Sequence, residues 1–121
     1  MAASSTYLAV FTGSANGAER KAWDALPAAE RTAREQAGIA AWKAWAQTHQ
    51  ASIVEMGGPL GKTKKVSRDG VHDVSNLMAG FTLVRAASHE EAAKLFENHP
   101  HFAIFPGDGV EIMPVLAIPA G

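Results

Sequence analysis

Apolar and polar positions along the chain fall into blocks of two kinds. Tyr7 to Thr12 is a short apolar run rich in β-formers, bounded by Gly13-Ser14 and Asn16-Gly17, which predicts a buried strand. A helical stretch follows over Ala18 to Leu26. Pro27 then suits the first position of a longer helix reaching toward His49. Within it Ala33, Ala37, Ala41 and Trp45 recur every fourth residue, and Glu30/Arg34 and Arg31/Glu35 make i,i+4 charge pairs, so one face is expected to be apolar and the other solvated. Ala51 to Met56 predicts a second strand, closed by the turn cluster Gly57-Gly58-Pro59.

Lys62 to Val74 carries the strongest hairpin signal, with the turn expected at Asp69-Gly70, and forms an excursion at about 60–76. Met78 to Arg85 is a third strand. Ser88 and Glu91 make a capping box that opens a helix ending near Asn98, and Val110 to Ile118 is the fourth strand. Strand, helix, strand, excursion, strand, helix, strand is a split βαβ order. It predicts an α+β domain of ferredoxin-like βαββαβ type, an antiparallel sheet with both helices on one face. Tyr7 to Phe11 and Ile112 to Ile118 are nearly all apolar rather than alternating, so both sheet faces need cover. Two helices cover one face; a second copy of the chain is the simplest cover for the other, which predicts a homodimer.

Composition narrows the classes. A chain of 121 residues with 47% hydrophobic and 19% charged residues suits one globular domain over 1–121. With no cysteine, thiolate catalysis, disulfides and cysteine-held metals are excluded. A net charge of -1 offers no broad attraction for phosphate backbones, so nucleic acid is not an expected partner. No run approaches the roughly 20 apolar residues of a membrane span, and the opening MAASSTYLAVF lacks a basic segment before its apolar run; the expectation is a cytoplasmic protein with no membrane partner.

Gly57-Gly58-Pro59-Leu60-Gly61, Gly80-Phe81-Thr82-Leu83-Val84, Ser88-His89-Glu90-Glu91-Ala92, His99-Pro100-His101 and Val110-Glu111-Ile112-Met113-Pro114 follow one another with a spacing that resembles the YCII-related (DGPF-like) proteins. That resemblance, over most of the chain after the first helix, implies a dimeric α+β barrel with clefts of small-molecule size. In some members it also implies a catalytic His–Asp pair. The matching positions here are near Ala41-Trp42-Lys43 and near Lys62, and neither holds His or Asp. The chain is closer to a branch with the Trp42-Lys43-Ala44-Trp45 helix and the His-Pro-His segment.

Candidate chemistry centres on His99 and His101, two imidazoles flanking a proline at a helix end, suited to holding a metal with a third ligand or to moving protons near neutral pH, with helix termination by His99 capping carbonyls as the plainer expectation. Glu55 interrupts an apolar strand and, with Asp73, is a candidate orienting carboxylate for such a histidine; solvent exposure is the plainer expectation for a carboxylate near a strand end. Trp42 and Trp45 lie three apart on one helix face and suit an aromatic pocket wall, with core packing as the commoner role. Lys62 heads a basic stretch suited to an anionic ligand or to a solvated edge. No metal set and no cofactor motif is recognised, and the Gly57–Gly61 run lacks the Lys-Ser/Thr ending of a phosphate loop. These features predict a small-molecule lyase or isomerase working by proton transfer in a barrel cleft, or a non-catalytic ligand-binding or accessory protein.

Overall fold

The computed structural model describes residues 5–119; residues 1–4 and 120–121, which the expected 1–121 domain includes, lie outside it. The main sheet has four strands, β1 (Ser5–Thr12), β2 (Ile53–Pro59), β5 (Met78–Ala86) and β6 (Gly109–Pro114), in the order β2-β5-β1-β6. All three pairings are antiparallel, so the two central strands are the first and third of the βαββαβ unit, the ferredoxin-like arrangement expected from the sequence. Helices α1 (Ala18–Asp24) and α2 (Ala28–Thr48) cross from β1 to β2, and α3 (His89–Lys94) and α4 (Pro100–Ala103) cross from β5 to β6. Between β2 and β5 a separate two-stranded hairpin is formed by β3 (Thr63–Ser67) and β4 (Gly70–Val74).

Register divides the sheet into two unlike faces, because residues paired across antiparallel strands share a side. Tyr7 pairs with Val84 and Pro114, Ala9 with Thr82 and Ile112, and Phe11 with Gly80 and Val110. This side meets the helices, and Tyr7, Ala9, Phe11 and Val84 are buried together with Trp45, Ala92 and Phe96. The opposite side carries Leu8 with Leu83 and Met113, and Val10 with Phe81 and Glu111; no helix of the described residues covers it. The near-continuous apolar character of β1 thus reflects two apolar faces.

Three local readings of the sequence change. In α2 the buried residues are Gly38 and Trp45, with Trp42 and Ala46 packed beside the core, while Ala33 and Ala37 are exposed. Only the second half of that helix overlies the sheet, and an alanine repeat says little about burial because a methyl group is tolerated on either face. The last strand ends at Pro114 rather than Ile118: past the last ladder pair, Tyr7 with Pro114, Val115 N donates to Thr6 O at 2.9 Å, and Leu116 and Ile118 are exposed. The hairpin turns on Arg68 and Asp69, and Gly70 begins the return strand opposite Ser67.

Candidate functional site

The segment after α3 explains how two histidines enter the core. Ser88 Oγ accepts from Glu91 N at 3.1 Å and starts α3 as the capping box requires, but the helix ends at Lys94, and Asn98 adopts a positive φ of 56°. The chain then reverses and begins α4, with Pro100 at its first turn, where the missing N–H costs nothing. His99 is therefore an N-cap: its Nδ1 accepts from His101 N at 3.0 Å. Helix termination by His99 capping carbonyls, one reading of the sequence, is replaced by helix initiation.

That hydrogen bond fixes the His99 tautomer. An Nδ1 that accepts is unprotonated, so in the neutral ring the proton sits on Nε2. His99 is fully buried, and its Nε2 has no partner among the described residues. Aromatic rings surround it: Trp42 at 4.5 Å edge-on, Trp45 at 4.6 Å, Phe11 at 5.0 Å and Phe96 at 5.8 Å between centroids. Burial, then the neighbouring His101 and His49, push its pKa down to about 4. The ring is neutral at physiological pH.

His101 takes the complementary arrangement. Its Nε2 lies 2.7 Å from Thr12 O, and a carbonyl can only accept, so Nε2 carries a proton and, in the neutral ring, Nδ1 is the nitrogen that keeps its lone pair. The same carbonyl accepts Asp108 N at 2.9 Å. Gly107 is required here: a Cβ on it would lie 2.3 Å from His101 Nε2, inside the ring's own volume. Phe11 packs on the imidazole edge at 5.3 Å. His101 is thus held from behind by main chain and aromatic contacts.

In front of it opens a cleft of about 550 Å³. Helix α2 contributes Ile39, Trp42 and Lys43, α4 contributes His101, and Phe105 follows two residues after α4 ends. Phe11 and the main chain of β2 and β5 around Gly57-Gly58 and Gly80 complete the wall. At Gly57 the ladder is irregular and φ is +67°, and a side chain there would collide with Phe81 O, so between Met56 and Pro59 the cleft wall is bare main chain. The lining is almost wholly apolar. His101 and the exposed Lys43 are its ionisable groups, and the Thr82 hydroxyl, also in the wall, is already donating to Met56 O at 2.8 Å.

The sequence candidates are distributed unevenly around this cleft. Trp42 and His101 line it; His99 and Trp45 stand behind its wall, and Trp45 Nε1 donates to Leu95 O at 2.7 Å as a core residue. Glu55 is not among the lining: it pairs with Leu83 on the helix-free side, is exposed, and accepts from Gly57 N at 3.2 Å. Asp73 is on the exposed hairpin in a 2.7 Å ion pair with Lys64, and both line a separate polar cleft together with Lys62. The orienting partner expected of a carboxylate is instead the Thr12 carbonyl, which no side-chain pattern signals. Phe11, Phe105 and Lys43 were missed as wall residues. The Gly107 that admits the imidazole is legible only once the chain reversal is known. Among the described residues no group of three metal-ligating side chains occurs and no helix is long and apolar enough to cross a membrane.

Fold and cleft together define an α+β protein built on a ferredoxin-like unit with an aromatic pocket between sheet and helices. No protein-family model matches the chain, and no curated protein matches it. Among solved structures it is similar to 5-chloro-2-hydroxyhydroquinone dehydrochlorinase from Burkholderia phenoliruptrix, determined in complex with 2,5-dihydroxybenzoquinone. The two share 18% identity and a TM-score of 0.50, over 89% of this chain and 90% of the other. That likeness is one of fold.

Proposed function

We propose that the chain is a one-domain, cytoplasmic, homodimeric protein of the YCII-like α+β barrel kind, whose aromatic cleft binds a small, largely apolar molecule. His101 acts there as a proton-transferring base in a lyase or isomerase reaction. The observation that carries the reading is the orientation of His101: Thr12 O holds Nε2–H at 2.7 Å, and Nδ1, without a hydrogen-bond partner among the described residues, is the remaining ring nitrogen of a residue that lines the cleft. The elimination named for the structural neighbour belongs to the same broad class of chemistry. The helix-free sheet face, with Leu8, Phe81, Leu83 and Met113, supports the second subunit.

A non-catalytic binding role is the second reading, and one observation favours it: no carboxylate lines the cleft to assist His101. A metabolite screen by thermal shift, followed by chromatography of each stabilising compound, separates the two. Proton-transfer catalysis is supported by a compound that is converted by the protein and survives unchanged with His101→Gln, the thermal shift being retained. A compound that always emerges unchanged supports binding alone, and conversion undiminished in His101→Gln removes His101 as the base.

A further inference from the structure

The tautomers of His99 and His101 are opposite in what they offer. His101 in its neutral ring presents an acceptor lone pair at Nδ1, and His99 holds an N–H donor at Nε2 with no hydrogen-bond acceptor among the described residues. A fully buried donor without an acceptor is unfavourable, and a group that supplies one recovers that free energy. The Trp42 ring is common to both environments. It lines the cleft, and it meets the His99 imidazole edge-on at 4.5 Å and 90°.

We infer that His99 Nε2–H is a hidden second half of the cleft, a neutral donor to the oxygen of a carbonyl-bearing ligand that turns the Trp42 ring aside, so that the substrate class is a ketone or enone with an acidic adjacent C–H. The inference rests on the cleft being the ligand site. In the step that follows, His101 Nδ1 takes the proton from the carbon beside the carbonyl. The C–H electron pair becomes the new C=C bond, the carbonyl π pair moves onto oxygen, and His99 Nε2–H stabilises that oxygen as it gains charge. Return of a proton from His101 to carbon completes an exchange or, at another carbon, an isomerisation. A neutral imidazole suits the donor role, because an imidazolium would hand its proton to the oxygen rather than share it.

The test uses β-tetralone, an aromatic ketone with acidic adjacent hydrogens, and tetralin, its hydrocarbon counterpart, each titrated into the intact protein. The inference expects the ketone to bind about tenfold tighter. It also expects the ¹H–¹⁵N resonance of His99 Nε2–H to move on binding, and solvent deuterium to enter the ketone beside the carbonyl. His101→Gln keeps the affinity ratio and loses deuterium incorporation; His99→Phe brings the ratio near one. Equal binding of the two probes, or tight ketone binding that leaves the His99 resonance unmoved, overturns the inference while the cleft remains a ligand site. Binding of neither probe overturns both the inference and the proposed cleft. The resonance is read in the unaltered protein, so the outcome does not depend on a variant folding.

Discussion

His101 and His72 make the same hydrogen bond in opposite surroundings. Each has Nε2 against a main-chain carbonyl, Thr12 O at 2.7 Å for His101 and Asp69 O at 3.0 Å for His72. His72 stands on the β3–β4 hairpin, where Val66 is 77% and Val71 62% exposed and no core is present. His101 is 9% exposed, with aromatic rings behind it and an apolar cleft in front. A hydrogen bond fixes which nitrogen is free, but only exclusion of water gives that nitrogen chemical value. The hairpin holds Lys62, Lys64, His72 and Asp73, which on residue type alone is the richer set, and bulk solvent screens them all.

If shielding is what distinguishes the two regions, damage to the shield produces the largest effect. Trp45→Ala removes a buried ring and its hydrogen bond to Leu95 O, and is expected to cost about 3–5 kcal/mol of stability by chemical denaturation. A loss under about 1 kcal/mol would show that the aromatic box does not hold the fold.

Acid titration acts on the same region. The folded pKa of His99 lies near 4, below its ordinary 6.5, so the unfolded chain binds the proton more readily. The contribution of neutral His99 is fully present above about pH 6.5 and is lost as pH falls through about 4, amounting to about 3 kcal/mol over that window. His99→Gln lacks this dependence. Denaturation of both proteins across the window should therefore show the unaltered chain losing the greater stability, and parallel curves would contradict the burial argument.

On the hairpin the expected effect is small. Lys64→Ala removes one partner of an ion pair whose side chains are 70% and 84% exposed, and should change stability by under about 1 kcal/mol and leave ligand binding untouched. A larger change would mean that the hairpin is packed against something, and light scattering on the same variant would show whether a second copy is released.

Much of the fold was legible because strands announce themselves through short apolar runs between turn residues. The order β1, helices, β2, hairpin, β5, helices, β6 follows from Gly13-Ser14, Gly57-Gly58-Pro59, the Ser88 cap and Pro100. The site was legible only in part. His99, His101, Trp42 and Trp45 stood out by type and spacing, but which of them meets the cleft depends on the reversal at Asn98, a left-handed residue with no glycine to flag it. Glu55 and Asp73 were attractive as carboxylates beside apolar runs. A period of two assigns a strand residue to one face or the other without saying which face the helices cover, and Glu55 falls on the uncovered side. The orienting group for His101 is a backbone carbonyl, which every residue possesses and no sequence marks.

The central claim, that His101 offers a free Nδ1 to an apolar cleft, is tested most directly by long-range ¹H–¹⁵N correlation of the histidine rings at neutral pH. The account predicts that His101 carries a proton on Nε2, where Thr12 O accepts it, and that the His101 Nδ1 signal responds when a ligand enters the cleft. A His101 ring protonated on Nδ1, or one unaffected by a bound ligand, would contradict it.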